Sequence, residues 1–107
     1  MRKILAKVDD GRLGRAVAGL VTRALVVQEV KRREKEVCAL VVSYGKKGTR
    51  EFGVCIRGRQ VFCSCIDFRD RGVHCKHIAA LALHELGATA LARSERSEVV
   101  ELVGRRG

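Results

Sequence analysis

The sequence predicts an α+β fold, and three observations support that prediction. An amphipathic helix pattern lies near the N-terminus, a β-branched and alternating stretch fills the middle, and a second amphipathic pattern follows it. The expected order is an N-terminal helix, a small antiparallel β-meander, a cysteine-rich knuckle leading into a helix, and a short C-terminal helix. A chain of 107 residues is long enough for one modest core. We therefore expect residues 1–107 to form a single domain.

The helices are predicted from apolar residues at helical spacing. The first runs from about Asp10 to Ala24, with an N-cap signal at Asp9 and Asp10. The clearest pattern spans Lys76 to Leu86 and ends at Gly87, a residue typical of helix C-termini. A shorter helix is expected from Ser94 to Val103, before a basic tail.

The strands are predicted from β-branched and alternating residues. They are expected at Leu25 to Arg33, at Val37 to Tyr44, around the alternating residues Phe52, Val54 and Ile56, and at Gln60 to Cys63. Turns of Gly and charged residues separate the last three strands. The middle of the chain is therefore an antiparallel meander, and residues 66–74 after it are expected to be a loop.

The register of the central hairpin decides which cysteines face each other. We expect Val42 to lie opposite Phe52, which sets Cys38 opposite Ile56 and turns Cys55 to the other face of the sheet. This register disfavours a disulfide between Cys38 and Cys55. Both cysteines are interpreted as small core or sheet residues.

The composition favours a polyanionic partner. The chain carries a formal net charge of +10 and has a pI near 10.1, so nucleic acid is the first candidate. The alternative is an arginine-rich surface that has no ligand.

No apolar run is long enough to span a bilayer, and the N-terminus has no secretory h-region. We therefore expect a cytoplasmic protein, associated with the nucleoid if the source is prokaryotic.

Two close pairs of metal-ligating residues carry the strongest signal in the chain. Cys63 and Cys65 form the first pair, nine residues follow, and Cys75 and His77 form the second. Zinc prefers four such donors in a tetrahedron, and two close pairs joined by a short loop meet that demand. Cys75 lies at a predicted helix start, where free backbone N–H groups favour a thiolate. The alternatives are His74 as the fourth ligand, or buried free cysteines beside a surface histidine.

The segment from Cys63 to Ala80 resembles the SWIM zinc-finger family, whose signature is Cys-x-Cys, a variable loop and Cys-x-His. The resemblance implies that Cys63, Cys65, Cys75 and His77 bind one structural zinc ion. It also resembles the small, stand-alone, recombination-linked members of the Shu-complex type, which extend the motif to an alanine that Ala80 matches. A small residue there would let the helix approach the metal-bearing strand closely. Many members have Pro where this chain has Ile66.

The resemblance leaves two functions open. The first is binding of DNA, or of RNA, through a basic surface formed by Arg57, Arg59, Arg69, Arg71 and Lys76. The second is an adaptor that docks on a recombinase-like ATPase or another nucleic-acid-processing protein.

Aromatic residues are scarce, and Phe68 is the one expected to be exposed. Four protein ligands would fill the zinc shell, and no catalytic motif accompanies them, so we do not expect an enzyme, a small-molecule substrate or a membrane partner.

Overall fold

The computed structural model of the chain describes residues 1–87. Its elements are α1 (Arg2–Ala6), α2 (Asp10–Thr22), β1 (Leu25–Arg33), β2 (Glu36–Gly45), β3 (Gly48–Arg57), β4 (Gln60–Cys63) and α3 (Ile66–Arg71). A further helix, α4, is described over residues 76–87. The predicted α+β class is confirmed. The helix predicted from Ser94 to Val103 lies outside the described residues.

The N-terminal part contains two helices where one was predicted. Helix α2 begins after Asp9, whose side chain accepts a hydrogen bond from the backbone N–H of Arg12 at 2.9 Å. It ends at Arg23, which adopts the left-handed conformation at φ 65°. Helix α1 was missed because five residues are too few to show a helical period.

The four strands form one antiparallel sheet in the order β1-β2-β3-β4, so the predicted meander is confirmed. One face of the sheet is covered by the core. It carries the buried side chains Val37, Ala39, Val41, Val54 and Ile56. The alternate residues of β2 and β3 point to the other face, where Cys38, Leu40 and Cys55 are half-buried.

The register of the β2–β3 hairpin differs from the prediction by one residue. Val41, not Val42, lies opposite Phe52, and Cys38 lies directly opposite Cys55. The connection is a two-residue turn closed by the pair Gly45 and Gly48, with Gly48 at φ 121°. The predicted register would need a three-residue connection, so the shorter turn moves each pairing by one position.

This register brings Cys38 and Cys55 together as a disulfide, with their Cα atoms 4.1 Å apart. The prediction that this bond is disfavoured was therefore wrong. The bond joins β2 to β3 on the sheet face opposite the core, where both residues are half-buried.

We expect the Cys38→Ser/Cys55→Ser double variant to be less stable than the wild type by up to about 3 kcal/mol, because the bond closes a loop of sequence separation 17. Urea unfolding of the two proteins measures the difference. Alkylation of denatured, metal-free protein without reductant should label only Cys63, Cys65 and Cys75. Labelling of all the cysteines would contradict the disulfide.

Helix α4 lies at the centre of the core. The side chains at residues 78–82 are all fully buried, so this part of the helix has no solvent-facing side. The same cluster contains Ile4, Val8 and Ala16 from the N-terminal region and the inner face of the sheet. Ala80 is one of the buried residues, in agreement with the small side chain expected where the helix packs closely.

None of the described helices combines the length and apolarity needed to cross a membrane.

Candidate metal centre

Four predicted ligands come together at the ends of three elements. Cys63 is the last residue of β4, Cys65 is the N-cap of α3, Cys75 immediately precedes α4, and His77 lies in the first turn of α4. Their ligand atoms all lie within 4.8 Å of one another, and all four residues are buried. The predicted grouping is therefore confirmed. His74, the alternative fourth ligand, is not part of this group.

Helix α3 occupies most of the segment that was predicted to be a loop. Cys65 caps it, because its Sγ accepts a hydrogen bond from the backbone N–H of Phe68 at 3.4 Å. The helix ends at Gly72, which adopts a left-handed φ of 64°. Six residues give too short a pattern to predict a helix, and cysteine is not among the preferred N-cap residues. The expected loop at residues 66–74 is thus wrong for residues 66–71.

The distances between the donors suit a zinc ion. Nδ1 of His77 lies 3.7 Å from Sγ of Cys63 and 3.8 Å from Sγ of Cys75. In a tetrahedral site with Zn–S about 2.3 Å and Zn–N about 2.0 Å, the sulfur and nitrogen ligands are about 3.5 Å apart. Three thiolates and one imidazole complete the four-coordinate shell that is typical of structural zinc. The residues therefore fit zinc in both chemistry and spacing.

The imidazole of His77 is oriented by an aromatic ring on the sheet. Phe52 of β3 stacks on it, with the ring centroids 4.1 Å apart and an interplanar angle of 25°. Nε2 of His77 is buried and has no hydrogen-bond partner among the described residues. Stacking thus directs Nδ1 toward the thiols, a task that a hydrogen bond to the second ring nitrogen usually performs. The sequence indicated only a core position for Phe52, since its partner is distant along the chain.

The thiols differ in their tendency to ionise. The pKa of Cys75 is lowered to about 4, first by the hydrogen bond from the Cys63 thiol and further by His77 and the backbone N–H of Ile78. The pKa of Cys63 is raised, because its thiol donates to Cys75 and is buried. Burial also raises the pKa of Cys65. One thiolate is thus available for a cation near neutral pH, and the other two thiols must lose their protons as the metal binds.

A cavity of about 270 Å³ opens beside the metal centre. Its walls contain three of the ligands and a set of charged side chains: Cys65, Cys75, His77, Arg12, Arg15, Asp67, Arg71 and Lys76. Helices α2, α3 and α4 each supply at least one cation. Sequence reasoning missed the contribution of α2, because Arg12 and Arg15 lie far from the motif along the chain.

Asp67 is the carboxylate that faces these cations. Its oxygens accept hydrogen bonds from Nε and Nη2 of Arg12 at 2.7 and 2.8 Å, which joins α2 to α3. The hydrogen bonds from Arg12 hold the pKa of Asp67 below its usual value, with smaller effects of the Arg71 and Arg15 charges. Arg71 also approaches Asp67, at 3.6 Å. The remaining nitrogen of Arg12, Nη1, pairs with Asp9 at 2.6 Å, so Arg12 is balanced by two carboxylates. Arg15, Arg71 and Lys76 remain as cations of the cavity wall.

The structure divides the predicted nucleic-acid contacts into three groups. Arg71 and Lys76 line the cavity beside the metal centre. Arg57, at the end of β3, lines a different cavity together with Arg33 and Lys35. The predicted contacts Arg59, in the turn after β3, and Arg69, on α3, are exposed and line neither cavity.

The exposed aromatic residue near the metal centre is Phe62 rather than Phe68. Phe62 is 51% exposed, whereas Phe68 is half-buried and packs against the core cluster. The two rings meet edge to face with their centroids 5.9 Å apart. The expectation for Phe68 was wrong because the segment folds as α3, which turns Phe68 toward the core.

Comparison with known families identifies the segment that contains the centre. Residues 41–86 match the SWIM zinc-finger family. No curated protein and no solved structure matches the chain. The family match runs from β2 to α4 and does not distinguish the recombination-linked members. Residues 41–86 are therefore similar to a SWIM zinc finger, and this segment contains all four ligands of the candidate metal centre.

Proposed function

We propose that the protein is a single-domain SWIM module that binds nucleic acid, with DNA favoured over RNA, in recombination or repair. One observation carries the proposal. Cations from three different helices converge on a cavity beside the metal centre, and Asp67, the carboxylate there, is already bound to Arg12. Zinc would fix α3 and the start of α4, and thereby fix the positions of Arg71 and Lys76.

Contacts to phosphate groups would dominate such an interface. Arginine and lysine side chains bind phosphate oxygens through charge-assisted hydrogen bonds and release counterions from the nucleic acid. We assign these contacts first to Arg15, Arg71 and Lys76. Arg69 would contact phosphates next to the cavity. Arg57 and Arg59, at the end of the β3–β4 hairpin, would contact a more distant part of the strand. Contacts of this kind give weak sequence specificity.

A catalytic role is not part of the proposal. SWIM zinc fingers are in general binding modules, and three thiolates with one imidazole leave no zinc position for a substrate. The zinc ion would contribute stability and the arrangement of the surrounding cations.

The proposal is tested by comparing two triple variants with the same change in charge. Arg15→Ala/Arg71→Ala/Lys76→Ala removes cations from the cavity wall, whereas Lys46→Ala/Lys47→Ala/Arg50→Ala removes cations that do not line it. Fluorescence anisotropy with labelled double-stranded DNA should show at least tenfold weaker binding for the first variant and less than about threefold for the second. The first variant should also lower the salt slope by about 2 to 3, since each phosphate contact contributes about 0.9.

The adaptor function is the second candidate, and α2 provides the observation that favours it. Val17 and Val21 lie one helical turn apart on α2 and are 44% and 77% exposed. Such a pair suits contact with a protein partner, for which a recombinase-like ATPase is our proposal. If the zinc-loaded wild type does not bind DNA in the anisotropy assay, the nucleic-acid proposal fails and the adaptor function takes its place.

A further inference from the structure

We infer that the exposed ring of Phe62 stacks on an unpaired base, so that the substrate is nucleic acid with a single-stranded part. This inference rests on the proposed function and specifies its substrate class. Its basis is the position of Phe62 on the open face of the sheet, the way the ring is held, and the charges beside it.

Phe62 lies on the sheet face opposite the core. It pairs with Cys55 in the β3–β4 register, so its side chain points to the same side of the sheet as that of Cys55. The core cluster, to which the described helices contribute, contains none of Cys38, Leu40, Cys55 and Phe62. Within residues 1–87, the hydrophobic core thus leaves this face uncovered, and the Phe62 ring is 51% exposed on it.

The ring is held by two elements that the metal would join. Phe62 immediately precedes Cys63 at the end of β4, and Phe68 lies on α3, whose N-cap is Cys65. The two rings meet edge to face with their centroids 5.9 Å apart. This contact leaves at least one face of the Phe62 ring free. A ring that is already fixed loses little conformational entropy when a base stacks on it.

Helix α3 lies between Phe62 and the cavity beside the metal centre. Asp67 and Arg71 of this helix line the cavity, whereas Phe68 contacts Phe62. A nucleic acid backbone bound at the cavity therefore reaches Phe62 by crossing this one helix, which is about 10–12 Å across with its side chains. Arg69 is exposed on the same helix and can contact the backbone as it crosses.

The charge on the Phe62 side of α3 suits phosphate groups. Arg57 is the diagonal neighbour of Phe62 on the same sheet face. Arg59 lies in the β3–β4 turn, and Arg69 and Asp70 lie on α3. Three arginines against one carboxylate leave a net charge of about +2 around the ring.

The charges farther from the ring do not reverse this sign. Residues 29–36 carry four cations and three carboxylates, and Glu85 pairs with one of those cations, so this group is neutral. The cavity on the other side of α3 keeps about +1 when Asp9, Asp67 and a zinc cluster of formal charge about −1 are all counted. The path from the cavity to Phe62 is therefore positive along its length, as a chain of phosphodiesters requires.

Stacking on Phe62 distinguishes a single strand from a duplex. A base inside a duplex is already stacked on both faces and offers neither face to a side chain. An unpaired base in a single strand, an overhang or a loop offers a free face, and stacking on an aromatic side chain tolerates any sequence. The ring thus selects unpaired bases, while the cations bind phosphates of either form.

The test compares one labelled DNA strand, alone and annealed to its complement as a blunt duplex, with zinc-loaded full chain. In fluorescence anisotropy, Phe62→Ala should bind the single strand about tenfold more weakly and the duplex less than about twofold more weakly. The matched control is Tyr44→Ala, which removes an aromatic ring that is 46% exposed at the far end of β2. It should change neither affinity by more than about twofold.

A second pair of variants reports on stacking directly. The chain contains no tryptophan, so Phe62→Trp introduces a single indole. Its fluorescence should be quenched by acrylamide in the free protein and by the single strand on binding. The indole introduced by Tyr44→Trp should not be quenched by the strand.

Zinc content and circular dichroism establish that each variant is folded before its binding is compared. A single-strand affinity that is unchanged in Phe62→Ala, or an equal loss for strand and duplex, would overturn the inference. The proposed function would then stand if Arg15→Ala/Arg71→Ala/Lys76→Ala still weakened binding. An indole in Phe62→Trp that acrylamide does not reach would show that a protein segment covers the ring, and would also overturn the inference. Failure of the folded wild type to bind either form would overturn the proposed function itself.

Discussion

Removal of zinc is expected to unfold the chain from Cys63 through α4, and this is the largest effect we expect. The four ligands are buried, and Cys63, Cys65 and Cys75 belong to the same core cluster as Ile78. Without the metal, a Cys75 thiolate stays in the core with only hydrogen bonds to balance its charge. Structural zinc contributes about 10–16 kcal/mol of binding free energy in small fingers, which is as large as the whole stability of many domains.

The measurement is thermal unfolding by circular dichroism before and after treatment with a strong chelator, with zinc counted by elemental analysis. Cys75→Ser should lose the metal and the cooperative transition. The double variant Cys38→Ser/Cys55→Ser is the matched control, because it changes cysteines outside the centre and should retain one zinc ion per chain. An unchanged transition in protein shown to be free of zinc would contradict the structural role.

The loss of structure on zinc removal should extend beyond residues 63–87. Ile4, Val8 and Ala16 pack in the same cluster as the buried residues of α4. When α4 leaves the core, α1 and α2 lose the surface on which they pack. Amide hydrogen exchange should therefore show reduced protection in α2 as well as in residues 63–87 of the metal-free protein.

Features that depend on neighbours along the chain could be predicted from the sequence. Helix α2 follows from an N-cap and an apolar period, and the strands follow from alternation. The metal centre follows from two pairs of ligands, each with one intervening residue, because such pairs need little rearrangement to meet at one ion. The ranking of His77 above His74 rested on the same spacing, and in the structure His77 is the histidine grouped with the three cysteines.

Features that depend on distant residues could not be predicted. The pairing of Cys38 with Cys55 depends on whether the hairpin turn has two residues or three, and the glycines that flank the lysines permit both. Arg12 reaches Asp67 across 55 positions, and Phe52 stacks on His77 across the core. No local pattern in the sequence indicates such contacts. The cationic wall of the cavity depends on the packing of α2 against α3, which the sequence does not predict.

Truncation of Ile78 to alanine is expected to destabilise the protein by about 4 kcal/mol, the second largest effect. Ile78 is fully buried and, with Leu81, is one of the two largest such side chains among the described residues. Its removal leaves a cavity in a core whose surrounding residues 79–82 are also fully buried, so little collapse can fill the space. The residue also follows His77 directly, and its backbone N–H donates to the Cys75 sulfur.

The matched control is Ile66→Ala, which makes the same change at a site that is 70% exposed at the start of α3. Urea unfolding of zinc-loaded proteins should show a loss of less than about 1 kcal/mol for this control. Both variants should retain one zinc ion, because neither change removes a ligand. A loss at Ile78 no greater than that at Ile66 would mean that α4 does not lie at the centre of the core. Zinc would then be the main connection between α4 and the sheet.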